Sequence, residues 1–200
     1  MDLVLIRHGQ TEYGAADERA FIGHGRDLMP LSDLGVAQAE AAARAPELKG
    51  CQLILASPYT RAMHTAAIIS RISGLKIRVE IDLREWQPDR SHLYDSSEDA
   101  WALRDAFDAH RGQHPPGPQP LWESTDEMIA RIRPVLDRYL AQGYQRLCLV
   151  AHGMVIGRLT GLAKVDHCRP YVVRYREGFQ WHGWVGSSAL DQFEDERGLR

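Results

Sequence analysis

The chain has 200 residues, 44% of them hydrophobic, with 24 Lys and Arg against 27 Asp and Glu and a net charge of −3. That length and apolar content suit one substantial core. The charge balance lacks the basic excess of a nucleic-acid or membrane-surface protein, so neither partner is expected, although a local basic pocket fits within it. Cys51, Cys148 and Cys168 cannot all pair and none stands in a C-x-x-C arrangement. Cys51 and Cys148 sit beside apolar runs, where a reduced cysteine behaves as a small hydrophobe; this favours a reducing compartment. The leading apolar run is too short for a signal peptide or a membrane span, and a cytoplasmic protein is expected.

In chain order, Leu3-Val4-Leu5-Ile6 stops at Arg7-His8-Gly9, which predicts a buried strand with a polar loop at its carboxyl end. Ser32 caps an alanine-rich helix that Gly35 weakens and Pro46 ends. Leu53 to Ala56 predicts a second strand. It stops at Ser57-Pro58, an N-cap followed by proline at the first helical position, with the helix running through Ile69. Arg78 to Ile81 reads as a further strand, residues 92–122 as a helical lid, and GQHPPGPQP within it as a loop. Ser124 and Glu127 form a capping-box pattern for a helix to about Leu140. Pro134 inside that helix costs roughly 3 kcal/mol and predicts a kink. Leu147 to Ala151 is a third strand, stopping at His152-Gly153. Residues 171–185 read as a hairpin, Tyr171 to Tyr175 and Phe179 to Trp184, turning at Glu177-Gly178; the tail from Asp191 to Arg200 is highly charged. Strands alternating with helices predict an α/β fold: three layers, a mostly parallel central sheet with helices on both faces, and an inserted lid, all in one domain over residues 1–200.

In open α/β sheets, ligands bind beyond the carboxyl ends of the strands. The residues there are Arg7 and His8, then Ser57 to Arg61, Glu85 and His152. Arginine forks suit phosphate oxygens, a neutral imidazole can attack phosphorus, and a carboxylic acid can protonate the departing oxygen. Two arginines beside two histidines make little sense as a metal site. Taken singly, each of these residues has an ordinary structural explanation; their order and shared strand-end placement single them out.

Arg7-His8-Gly9-Gln10-Thr11 resembles the R-H-G-x-T signature of the histidine phosphatase superfamily, which includes phosphoglycerate mutases. The likeness continues through Pro30-Leu31-Ser32 with Gly35 and Gln38-Ala39, then Ser57-Pro58-Tyr59-Thr60-Arg61-Ala62. It extends to Leu83-Arg84-Glu85 and Ala151-His152-Gly153. The resemblance implies that His8 becomes a phosphohistidine and that Arg7, Arg61 and His152 bind the phosphoryl oxygens. It also implies that Glu85 serves as general acid and then base. Thr11 and the backbone near Gly9 and Gly153 would add hydrogen bonds, and His24 in its glycine-flanked loop is a candidate substrate contact. No metal or cofactor is expected.

The family holds phosphatases and mutases. Where glycolytic mutases of the family typically carry E-R-H-Y-G, this chain has Glu85-Trp86-Gln87-Pro88-Asp89, and Tyr13-Gly14 stands where W-N is frequent. Both departures favour a phosphatase over a phosphoryl isomerase. The expected substrate is a small phosphorylated molecule of open identity. Trp86, Tyr94, Trp101 and Trp122 are candidates for an apolar wall or for packing of the lid, and Arg84, Arg90 and Arg104 for a second anion contact or a solvated face. The aromatic C-terminal hairpin leaves a homodimer and a core role equally open.

Overall fold

The computed structural model describes residues 1–92 and 97–185, apart from the side chains of His24, Ser97 and Glu98. Tyr94 of the expected lid and the tail from Asp191 to Arg200 lie outside the described residues. The first apolar run forms β1 (Asp2–Arg7), followed by the short helix α1 (Gly14–Glu18) and a 3-10 turn at Gly23–Leu28. Next come α2 (Asp33–Ala42), β2 (Ile54–Ala56), α3 (Thr60–Ser73), β3 (Ile77–Val79) and a 3-10 turn at Ile81–Leu83. The chain continues with α4 (Ser97–Ala109), α5 (Thr125–Ala141), β4 (Arg146–Ala151), α6 (Gly153–Thr160) and β5 (Pro170–Arg174).

The strands form one sheet in the order β3-β2-β4-β1-β5. The first four run parallel and β5 pairs antiparallel with β1. Because side chains alternate across a strand, each central strand serves two cores. Leu3, Leu5, Leu55, Leu147 and Leu149 join Met128, Ile132, Leu136 and Tyr139 of α5 and Ile156 and Leu159 of α6 on one face. Val4, Ile6, Ile54, Ala56, Cys148 and Val150 join Ala39 and Ala42 of α2 and Ala62, Ala66 and Ile69 of α3 on the other. Strands buried on both faces read as continuous apolar runs, as β1 and β4 do, and the fold is the three-layer α/β/α arrangement.

Local signals held at some ends and failed at others. Ser124 and Glu127 form a complete capping box, Ser32 caps α2 by accepting from the Gly35 N–H at 3.1 Å, and α5 runs unbroken through Pro134. Ser57 does not cap α3, which starts at Thr60 behind Tyr59. The strand expected at Arg78 to Ile81 is shifted to Ile77–Val79, and Ile81 opens a turn. The expected hairpin keeps its turn at Glu177-Gly178 but has no second strand. Phe179, Trp181 and Trp184 pack on the α5–α6 core instead of pairing along an edge.

Candidate active site

The carboxyl ends of β1, β2 and β4 lie side by side in the sheet, and this register brings His8, Ser57 and His152 together. His8 follows β1, is 2% exposed, and begins a loop that passes α2 backbone to backbone. A Cβ at Gly9 would stand 2.5 Å from the Gly35 carbonyl oxygen, and a Cβ at Gly35 would stand 2.1 Å from that of Gln10. Only glycine permits this approach, so the first and second motifs are two sides of one crossing. The Gly9 N–H donates to Thr65 Oγ1 at 3.0 Å, and that hydroxyl donates to the Arg61 carbonyl at 2.8 Å. The His8 loop is thereby tied to the first turns of α3.

Two contacts set the His8 tautomer. Its Nδ1 lies 2.8 Å from the Gly9 carbonyl, which can only accept, so Nδ1 carries the hydrogen. Arg61 donates Nε–H to His8 Nε2 at 3.3 Å, so Nε2 carries the lone pair. Burial lowers the His8 pKa well below its ordinary value, with further depression from Arg61, His152, His167 and Arg7. The imidazole is neutral and its basic nitrogen faces a guanidinium.

His152, fully buried, places its ring 5.1 Å from that of His8. Its Nε2 is 2.7 Å from Ser57 Oγ, which also accepts from the Tyr59 N–H at 3.4 Å. The His152 Nδ1 is buried with no hydrogen-bond partner, a costly arrangement unless a ligand fills it. Burial, then Arg61, Arg7 and Arg131, hold His152 well below the usual histidine pKa. Arg7 is buried and donates to the Val165 carbonyl at 2.9 Å. Arg61 packs over the Tyr59 ring and pairs with Asp27 at 3.0 Å.

Glu85 sits half-buried beyond the turn that follows β3. One carboxylate oxygen accepts from the Trp86 N–H at 2.8 Å and the other from the Met154 N–H at 3.2 Å, at the start of α6. Arg131 of α5 braces this segment by donating to the Asp82 carbonyl at 2.5 Å and the Glu85 carbonyl at 3.1 Å. It also pairs with buried Glu123 at 2.5 Å, whose carbonyl accepts the Trp86 indole N–H at 2.6 Å.

The other expected residues divide. Thr11 is buried with a hydroxyl that has no hydrogen-bond partner, and Gly153 is the buried first residue of α6. His24 belongs to the 3-10 turn that carries Asp27, and its side chain lies outside the described residues. Trp86 and Trp122 are buried core residues rather than an exposed wall. Arg84 pairs with Asp82, Arg90 with Glu127 and Arg104 with Asp108, so each has a carboxylate already. Sequence reasoning missed Ser57 as a histidine partner, Asp27, Arg131 and Glu123, and left His167 aside. Among the described residues, no group of three or more His, Cys, Asp or Glu is placed to hold a metal ion, and no helix is long and apolar enough to cross a membrane.

Residues 3–167 match the model of the histidine phosphatase superfamily, branch 1. A relative from Hydrogenobacter thermophilus that carries the provisional name phosphoserine phosphatase 2 is 33% identical over 80% of this chain and 79% of its own. One from Photorhabdus laumondii, provisionally named phosphoglycerate mutase GpmB, is 31% identical over 80% of this chain and 74% of its own. Among solved structures, mycobacterial glucosyl-3-phosphoglycerate phosphatase Rv2419c in complex with VO3 superposes with a TM-score of 0.66. It is 27% identical and covers 93% of this chain and 99% of that one. Phosphatase names among these relatives support a phosphoric monoester hydrolase, and mutase names stand beside them. With the family model spanning most of its length, the chain belongs to the histidine phosphatase superfamily.

Proposed function

We propose that this protein is a metal-independent phosphatase that hydrolyses a small phosphate monoester through a phosphohistidine on His8. The observation that carries the proposal is the His8 imidazole: its Nδ1–H is bound to the Gly9 carbonyl while the Nε2 lone pair faces Arg61. The Nε2 lone pair attacks phosphorus, and the bond from phosphorus to the ester oxygen breaks. Glu85, entering as the acid, gives its proton to that oxygen. Arg61 and Arg7 take the phosphoryl oxygens, and His152 Nδ1, buried with no hydrogen-bond partner, is a further donor for them in the tautomer that puts its hydrogen there. In the second half, the Glu85 carboxylate removes a proton from water, the water oxygen attacks phosphorus, and the P–N bond breaks. Inorganic phosphate leaves, and both residues return to their starting states.

A fixed arginine field supplies the charge stabilisation that a divalent ion supplies elsewhere, so added chelator is expected to leave activity intact. The complex of a structural relative with VO3 is consistent with an oxoanion at the homologous place. The test is phosphate release from an aryl phosphate and a panel of cellular phosphate esters by wild type and His8→Ala. Release that vanishes in a folded His8→Ala establishes the His8-dependent phosphatase, and release that persists overturns it. The mutase reading, supported by the relative named GpmB, predicts turnover that depends on a bisphosphorylated primer with little net phosphate release.

A further inference from the structure

Three histidines meet at the nucleophile, and the mechanism above uses two of them. His167 lies between α6 and β5, where the chain returns along the end of β1. Arg7 and His167 form a parallel bridge, the Cys168 N–H donates to the Arg7 carbonyl at 2.9 Å, and the Arg7 guanidinium reaches back to the Val165 carbonyl at 2.9 Å. A further contact is made with His8 itself. His167 Nδ1–H donates to the His8 carbonyl at 2.6 Å, and the two rings stand 5.3 Å apart, tilted by 55°. A carbonyl oxygen only accepts, so Nδ1 holds the hydrogen. A second proton, on Nε2, makes the ring a cation beside the nucleophile.

We propose that His167 is a positioning residue for His8: it anchors the nucleophile's main chain and, through its own charge, governs how readily the nucleophile takes a proton. The proposal rests on His8 being the phosphoryl acceptor. Among the described residues, the charged and titratable groups that act on the His8 ring include Arg7 on β1, Arg61 on α3, His152 at the end of β4, and His167. Burial is the largest influence that keeps His8 neutral, and a His167 cation adds to the repulsion from the two arginines and His152. At the surface beside this segment, Asp166 and Arg169 pair with each other at 3.1 Å. The anchor matters as much as the charge, because a displacement of about 1 Å in a reacting group can cost ~10²-fold in rate.

His167→Asn and His167→Ala separate the two roles. Asparagine keeps an N–H near the position of Nδ1 and carries no charge, whereas alanine has neither. The acidic limb of kcat/KM on an aryl phosphate, which reports the free enzyme, is expected to move to higher pH in both variants. Only His167→Ala is expected to lose ~10²-fold in plateau rate. An acidic limb at the wild-type position in both variants overturns the charge role, and a full plateau rate in folded His167→Ala overturns the anchor. NMR titration of the His8 imidazole reads the same coupling without turnover: His8 must take its proton at higher pH in His167→Asn than in wild type. A wild type without phosphatase activity that still shows this shift sinks the phosphatase reading and not the coupling. An unshifted His8 in an active enzyme sinks the coupling alone. If neither variant folds, the wild-type titration decides, with mutually dependent His8 and His167 curves supporting the coupling and independent ones overturning it.

Discussion

His8 and Glu85 are held in opposite ways. His8 stands at the end of a strand flanked by two others, and main chain fixes it: the Gly9 and Gly35 backbones cross with no room for a Cβ. The core behind it is alanine-rich, which lets α2 and α3 come close to the sheet. Glu85 follows a turn rather than a strand end and is oriented by two N–H groups. Its segment is clamped by side chains, Arg131 and Glu123, reaching over from α5 and the loop before it. The core on that side is aromatic, with Trp86, Phe107, Trp122 and Tyr139. The His8 half therefore has no room for a Cβ at the crossing, whereas the Glu85 half depends on a few charged groups.

The largest expected effect tests the first half. Gly35→Ala drives a Cβ against the Gln10 backbone and is expected to cost ~10²-fold or more in kcat/KM. The crowding should also cost about 1–3 kcal/mol of stability, measured by thermal unfolding; wild-type kinetics in this variant would remove the crossing from the account. Arg131→Met tests the second half. It should slow esters with poor leaving groups by ~10²-fold while nearly sparing aryl phosphates, and Glu85→Gln should share that pattern, because aryl leaving groups hardly need an acid. Equal loss on both substrate types would make Arg131 a support of the whole fold rather than of the acid.

A smaller effect is expected where the halves meet. Ser57→Ala removes the hydrogen bond at His152 Nε2, worth about 1–3 kcal/mol when buried, and should lower kcat by ~10-fold in steady-state kinetics. The smallest is in stability against pH. His8 and His152 stay neutral in the folded chain well below 6.5, the ordinary histidine value. As pH falls through 6.5, the unfolded chain binds protons that the folded chain refuses, so the melting temperature should drop on acidification. His152→Gln should flatten that slope, and an unchanged slope would show that His152 is not its source.

Sequence reading reached the His8 half more fully than the Glu85 half. Strands buried on both faces leave uninterrupted apolar runs, and the residue where such a run stops is visible in one dimension. Glycines that must cross another backbone also stand out at fixed spacing. Ser57 was legible as important but misassigned, because serine before proline is a good cap locally. Its actual partner, His152, is 95 residues away. Arg131 and Glu123 look like ordinary charges on and before an amphipathic helix, and only the fold shows that they grip residues 82–87. His167 meets His8 across 159 residues, and no local pattern records a ring contact. The C-terminal aromatics showed a turn but not its outcome, since a face that packs on a core and a strand that pairs on an edge share the same alternation.

The placement of β1 has a consequence for the order in which the protein comes into being. Among the described strands, β1 is paired on both sides by the two that lie farthest along the chain, Arg146–Ala151 and Pro170–Arg174. Its register is closed only when residues from the far end of the chain arrive, and long-range pairing of this kind slows folding. Until residues 170–174 are in place, β1, the strand that leads into His8, lacks one of its two flanking partners. His8, at the end of that strand, is therefore set by chain that is made long after it.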